Sequence, residues 1–273
     1  MSKRVSELAL AVFLCALGAS VAHADLRIHP KRVIFEGSQR SATVTLVNNE
    51  PEAYTYRIMW QMLRMNEQGK LERVNEGDDP GDLKIANDMI RYAPRQIRLE
   101  PGVAQTVRIM LRKPGNLADG EYRAHMLFMR EPRTVKMGEE GDKLAINLNI
   151  LYGMSIPIFV RQGELDADVE IDTVDAKRAG DKMSLDVQFE RGGQRSVYGD
   201  VTVSWFGAGG EENVLATVRG IGIYPEARTR RFEIDDLVMP DGSPVPPGKL
   251  KIRYRASAEA ASETLAEATV AVN

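Results

Sequence analysis

The stretch LAINLNILYGMSIPIFVR, residues 144–161, carries no charge before its final arginine and combines two β patterns. Its second part, Ile156 to Val160, has no alternation and is typical of a strand that is buried on both faces. Its first part alternates, as the two-residue period of a strand requires. The apolar side chains that share one face of this first part are Leu144, Ile146, Leu148, Ile150 and Tyr152. The segment predicts a β fold, and the surface that this face covers decides the function.

Short β-rich runs separated by Gly, Pro, Asn and Asp fill most of the remaining chain. In the run YTYRIMWQM (54–62), Trp60 is a predicted central core residue of a sandwich. A second series of such runs follows Gln162, so the predicted fold class is all-β, with two immunoglobulin-like β-sandwich domains at 25–162 and 163–273. Near the C-terminus, AEAASETLAEA (258–268) is rich in helix-favouring residues and predicts a short helix or a loop.

The N-terminus has the composition of a secretory signal peptide. Lys3 and Arg4 precede an apolar core, and Ala22-His23-Ala24 supplies a small-x-small cleavage site, so residues 1–24 are the predicted signal. The apolar core is too short for a membrane anchor, and no direct membrane insertion is expected. Cys15 is the only cysteine, so the exported chain relies on its core rather than on disulfides.

Residue patterns for catalysis are missing from the sequence. Beyond the predicted signal, the only histidines are His29 and His125, and neither has the spacing of a metal ligand pair. His125 lies among apolar neighbours, where a packed imidazole is the expected role. No nucleophile elbow or phosphate loop is found, so we expect no enzyme activity, catalytic residue, metal or cofactor. A formal net charge of −3 gives no reason to expect nucleic-acid binding.

Several segments in the first half together resemble the PapD-like periplasmic chaperones of pilus (fimbrial) assembly. They are HPKRVIFEGSQRSATVTLVNN (29–49), IRYAPRQIRLEPG (90–102), ADGEYRAHMLFMREP (118–132) and YGMSIPIFVRQG (152–163). The second half resembles the family only in length and in its strand-rich pattern. The resemblance implies a periplasmic protein with two immunoglobulin-like domains that meet at an angle.

The resemblance also implies a mechanism, in which the chaperone lends a strand to a pilus subunit and delivers the subunit to an outer-membrane usher. The residues expected to fill the subunit's groove are Leu144, Ile146, Leu148, Ile150 and Tyr152. From periodicity alone, the same face would instead pack inside the chain's own sandwich. Free chaperone could also self-associate through its exposed edge strands. The rival interpretation is a structural or adhesive immunoglobulin-like secreted protein without chaperone activity.

Family members hold the subunit's C-terminal carboxylate with two basic residues in the interdomain cleft. Arg32 matches the first of them, whereas Pro157 stands at the usual lysine position and supplies neither charge nor N–H. Either Arg91 or Arg95 replaces the missing charge, or Arg32 acts alone; the sequence leaves both options open.

A further family feature is an arginine that fixes the two domains through ion pairs. Arg161 matches it, and Glu121 together with an acidic residue of the second domain are its expected partners.

Overall fold

The computed structural model describes residues 26–132, 152–257 and 263–272. In these residues the one helical element is a 3-10 turn at Asn87–Met89. The strands of the first half are β1 Leu26–His29, β2 Val33–Phe35, β3 Ser41–Asn48, β4 Tyr54–Gln61, β5 Leu63–Met65, β6 Leu71–Arg73, β7 Ile90–Ala93, β8 Gln96–Leu99, β9 Ala104–Leu111, β10 Gly120–Arg130 and β11 Gly153–Gln162.

These strands form a sandwich of two sheets, β1-β3-β9-β7 and β2-β11-β10-β4-β8, and a small β5-β6 hairpin. The chain crosses between the two sheets at residues 30–32, because β1 pairs with β3 whereas β2 pairs in parallel with β11. The crossing places Arg32 directly before the first residue of β2.

The alternation of apolar residues explains the core of this sandwich. Side chains that point between the two sheets are buried, and the largest fully buried ones include Phe35, Tyr56, Met126 and Phe128. Trp60 is only partly buried and packs at the margin of the core against Tyr92, with ring centroids 4.9 Å apart. The predicted central position of Trp60 in the core is therefore wrong.

The second half forms another sandwich with a separate core around Phe189 and Tyr254. Its sheets are β12-β13-β16 and β15-β14-β17-β18. The strands are β12 Ala167–Ala179, β13 Lys182–Gly193, β14 Val197–Phe206, β15 Glu212–Ile223, β16 Thr229–Leu237, β17 Gly248–Ala256 and β18 Thr264–Val272. The predicted all-β class with two β-sandwiches is confirmed.

The short helix or loop predicted near the C-terminus is wrong where the structure describes this segment. Residues 264–268 belong to β18, which pairs with β17 along its length, while 258–262 lie outside the described residues. Helix propensity is a weak preference, and the edge of β17 together with the buried Ala266 and Val272 outweighs it.

The two sandwiches contact each other through a small apolar cluster. Phe159 of β11 packs edge-on against Tyr224, with ring centroids 5.7 Å apart, and Met65 and Ala227 complete the buried part. The β5-β6 hairpin reaches across this junction, where the carbonyl of Glu67 accepts a 2.7 Å hydrogen bond from the N–H of Arg231. The hairpin thus adds polar contacts to the packing between the two halves.

Candidate functional site

The strand β11 has one edge that is only half occupied. Its neighbour β10 pairs with all of it, from Gly153 to Gln162, whereas β2 pairs only with Ile158 to Val160. Among the described residues, no strand covers the second edge of β11 between Gly153 and Pro157. Such an edge can pair with the backbone of another chain. Pro157 has no N–H and donates no hydrogen bond at the end of this open edge.

The two faces of β11 have different surroundings. Ile156, Ile158 and Val160 are buried in the core of the first sandwich, and Phe159 is buried on the other face against the second sandwich. The sequence prediction that the run Ile156 to Val160 is buried on both faces is confirmed except at Pro157, which is half-buried. Ser155 is exposed. The first half of β11 therefore has an edge that no described strand covers, whereas its second half is enclosed between the two sandwiches.

Four of the five predicted donor side chains, Leu144, Ile146, Leu148 and Ile150, lie outside the described residues. Tyr152, the fifth, is half-buried directly before β11, and its carbonyl accepts a 2.9 Å hydrogen bond from the N–H of Arg130. By strand alternation Tyr152 shares its face with Ile156 and Ile158.

Arg32 lies at the point where the open edge ends. Val33 is opposite Ile158 in the parallel pairing, so Arg32 comes one position earlier, next to Pro157. Its side chain is half-buried at the junction, and its Cζ lies 4.1 Å from the ring centroid of Tyr198 in the second sandwich. Loss of hydration lowers the pKa of Arg32 from its ordinary value, while Tyr198 and Tyr224 act in the opposite direction. The charge of Arg161 lowers this pKa further, and that of Glu121, which is paired with Arg161 and not with Arg32, raises it.

No ion pair or hydrogen bond to Arg32 is found in residues 26–132, 152–257 and 263–272. A guanidinium that is partly removed from water without a carboxylate partner is electrostatically costly. An arriving carboxylate would relieve that cost and could form two parallel hydrogen bonds with the guanidinium. The arrangement can therefore bind an anion at the end of an open strand edge.

Neither Arg91 nor Arg95 is brought to Arg32. Arg91 lies on β7 and Arg95 in the turn between β7 and β8, at the edges of the sheets opposite to β1 and β2. With four strand intervals between β2 and β8, the separation is about 19 Å. Arg91 donates to the carbonyl of Asp88 over 3.1 Å, and Arg95 lies over Tyr92. Neither arginine can complete a two-point anchor with Arg32, because the order of strands in the sheets puts them on the far side of the sandwich. The sequence alone does not reveal this order.

Arg161 and Glu121, predicted to link the domains, lie opposite each other on β11 and β10. Arg161 Nε donates to Glu121 Oε2 over 3.0 Å, and Glu121 Oε1 accepts from the N–H of Ser196 in the second sandwich over 3.1 Å. Glu121 therefore reaches the second sandwich through a backbone amide rather than through an ion pair. Arg161 also approaches Glu36 at 3.5 Å, so its acidic neighbours both belong to the first sandwich.

A second polar link, between Arg123 and Glu226, was not predicted from the sequence. Both side chains are nearly inaccessible to water, at 3% and 2% exposure, and they form a bidentate ion pair across the junction. Glu226 also accepts from the N–H of Met65, and Arg123 donates to the carbonyl of Leu63 over 2.8 Å. The only sequence signal was an arginine among apolar residues of the strand YRAHMLF.

His125 follows Arg123 on the same face of β10 and is 1% exposed. Its Nε2 atom has no hydrogen-bond partner, and burial, with a smaller contribution from the charge of Arg123, lowers its pKa to about 3. The imidazole is therefore a neutral packed group, as its apolar neighbours predicted.

No cluster of histidine, cysteine and carboxylate side chains in the described part of the chain has a geometry that could hold a metal. Over the same residues, the fold contains no helix with the length and hydropathy of a membrane span.

Comparison with known proteins gives matches in structure only. No model of a known protein family matches the chain, and no curated protein is significantly similar in sequence. In structure the chain is similar to the CupB2 chaperone of Pseudomonas aeruginosa, with 13% identity and a TM-score of 0.46 over 90% of this chain and 98% of that chain. It is also similar to the E. coli chaperone DraB, with 15% identity and a TM-score of 0.39 over 91% and 97% of the two chains.

A third similar structure is a chain of the CsuC–CsuE chaperone–tip adhesion subunit pre-assembly complex, from the archaic chaperone-usher Csu pili of Acinetobacter baumannii. The identity is 13% and the TM-score 0.47, over 91% of this chain and 98% of that chain.

Proposed function

We propose that the protein is a periplasmic chaperone that binds pilus subunits by donating a strand along the open edge of β11. The observation that carries this proposal is the position of Arg32, a half-buried cation without a carboxylate partner, at the end of that edge. The motifs of the first half, which resemble the pilus-assembly chaperones, support it independently. The activity is binding, with no chemical step.

The geometry favours one direction for the added strand. A strand on the open edge of β11 would lie in line with β2, which begins at Val33 and blocks further extension. If the added strand runs parallel to β11, its C-terminal end meets Arg32. A terminal carboxylate at this position would form a charge-assisted bond with the guanidinium. Arg32 would thereby set the register of the strand, since one residue of slip in register turns every side chain to the other face.

The expected energies are sufficient for capture. Each buried side chain of the donor set Leu144, Ile146, Leu148, Ile150 and Tyr152 contributes about 1.5–3 kcal/mol when it is fully removed from water. A hydrogen bond to a charged group adds about 1.5–3 kcal/mol. A few donor residues and one carboxylate therefore suffice, and an outer-membrane usher would be the next partner of the loaded chaperone.

Co-expression tests the proposal directly. The chain is produced in the periplasm with candidate pilus subunits encoded beside it, and the retained subunit is measured after purification of the chain. We expect a one-to-one complex that is lost in the double variant Ile146→Asp/Leu148→Asp. Val214→Asp provides a matched control, since this side chain is 52% exposed on β15 of the second sandwich and its replacement should leave capture unchanged.

Two results would overturn the proposal. One is full retention of the subunit by the double variant while the variant remains folded. The other is recovery of the native chain as a component of surface fibres without any bound subunit, which would favour a structural or adhesive protein.

A further inference from the structure

Arg32 is held by an aromatic ring of the opposite sandwich rather than by an acidic residue. Its Cζ is 4.1 Å from the ring centroid of Tyr198 and 6.0 Å from that of Phe159. A guanidinium stacks through its flat face, so its N–H donors in the plane stay free for another partner. An ion pair would instead occupy those donors. The contact with Tyr198 therefore orients the cation without neutralising it.

The position of Tyr198 depends on two glycines in the neighbouring strand. Tyr198 lies on β14 opposite Gly222 of β15, and Gly220 is the next residue of β15 on the same face. A Cβ added to Gly220 would lie 2.8 Å from Tyr198 Oη, and one added to Gly222 would lie 3.5 Å from Tyr198 Cδ2. The ring thus runs along a strip of β15 without side chains. A side chain at Gly220 would displace the ring from Arg32, whereas a Cβ at Gly222 would only touch the ring.

From these contacts we infer that Tyr198 is a positioning residue for the carboxylate of a bound chain, and that Arg32 with Tyr198 forms a composite site requiring both sandwiches. The inference rests on the proposed function and specifies how its anchor works. One cation with an aromatic platform takes the place of a pair of cations, since Pro157 carries no charge and Arg161, whose charge reaches Arg32, is already paired with Glu121. The ligand is a planar carboxylate at the end of an extended strand.

Paired peptides test this inference. The probe is a peptide covering the final strand of the subunit retained in the co-expression experiment, prepared with a free C-terminal carboxylate and, separately, with a C-terminal amide. Dissociation constants for the full chain are measured by calorimetry. We expect the native protein to prefer the free acid by about 10- to 100-fold, as one charge-assisted hydrogen bond allows.

The variants separate positioning from simple stability. Tyr198→Ala should lower the acid-to-amide preference by about 3- to 30-fold, the range of a partly dehydrated cation–π contact. Tyr198→Phe should retain the preference, because it keeps the ring. Phe206→Ala is a matched control at the other end of β14, where Lys251 Nζ lies 5.6 Å from the ring centroid. This control should leave the preference unchanged.

Each outcome has a distinct meaning. If Tyr198→Ala weakens both peptides equally, or neither, Tyr198 does not position Arg32 and the inference is overturned. If the native protein binds the free-acid peptide and the amide peptide equally, the carboxylate site is refuted, although capture of the subunit by strand donation remains supported. If no subunit is retained in the first experiment, the proposed function fails and the inference fails with it.

Discussion

Two arginines of the first sandwich face the same junction in opposite electrostatic situations. Arg123 is buried in a bidentate ion pair with Glu226, whereas Arg32 is half-buried and stacks on Tyr198 without a carboxylate. A buried charge needs an oppositely charged partner, and a partner within the same chain gives a permanent ion pair. Arg123 therefore links the two sandwiches, and the contrast fits the proposal that Arg32 binds a partner from outside.

Breaking the Arg123 pair should give the largest effect. Arg123→Leu leaves Glu226 as an uncompensated buried charge, so the free energy of unfolding should fall by about 3–5 kcal/mol. Denaturant titration of the full chain measures this loss. The double variant Arg123→Leu/Glu226→Leu should recover much of it, because apolar residues can replace a buried pair at little cost.

Arg57 provides the matched control for that experiment. Its pair with Glu131 is 63% exposed on the arginine side, so Arg57→Leu should cost less than about 1 kcal/mol. An equal loss in the exposed and the buried variants would show that burial of the Arg123 pair contributes nothing to the junction.

His125, two residues after Arg123 on β10, makes the free energy of unfolding depend on pH. The folded pKa of His125 is about 3, below its ordinary value of 6.5, so in this window the unfolded chain binds a proton that the folded chain does not. Stability is therefore complete above pH 6.5 and falls as the pH drops towards 3, by at most about 1.4 kcal/mol per pH unit. Between pH 6.5 and 5 the loss from this group should be about 1.6 kcal/mol, since the unfolded imidazole is only half-protonated at pH 6.5.

Unfolding titrations at several pH values check this prediction. His125→Leu should flatten the slope in that window even if the variant is less stable at neutral pH. The exposed His29 gives the control, since His29→Leu removes an imidazole from water rather than from the core. An unchanged slope in His125→Leu would mean that another group carries the acid sensitivity.

Replacing the unpaired arginine should give the smallest effect on folding. Arg32→Leu removes one cation–π contact and also one partly dehydrated charge, so the free energy of unfolding should change by less than about 1 kcal/mol. The same denaturant titration measures it. A loss comparable to that of Arg123→Leu would mean that Arg32 is part of the permanent junction rather than a site for a partner.

Local patterns predicted the features that depend on local geometry. Alternation indicated the strands and the all-β class, and the uninterrupted apolar run Ile156 to Val160 indicated burial on both faces. Arg32 could be singled out only by resemblance to a family, because an arginine beside a strand is ordinary on its own. The short helix or loop predicted near the C-terminus was wrong because strand pairing outweighed a weak helix propensity.

Long-range contacts could not be predicted in the same way. Arg123 and Glu226 are 103 positions apart, and the ring of Tyr198 reaches Arg32 from the other sandwich. Such contacts depend on how the two halves dock, which no single strand pattern contains. Arg91 and Arg95 illustrate the same point, since the sheet order puts them at the edge away from Arg32.

Cysteine cross-linking tests strand donation most directly, because the sequence beyond the predicted signal contains no cysteine. Cysteine is introduced at Gly153 or Ser155 on the open edge and, in turn, along the final strand of the retained subunit, and disulfides are scored by mass spectrometry. Paired strands about 4.8 Å apart allow disulfide geometry. Moving the cysteine from 153 to 155 should move the preferred partner towards the subunit's C-terminus, as in a parallel strand that ends at Arg32. Strand donation in this parallel arrangement would be contradicted if the preferred partner moved towards the subunit's N-terminus. It would also be contradicted if each cysteine formed disulfides equally with all positions of the subunit strand.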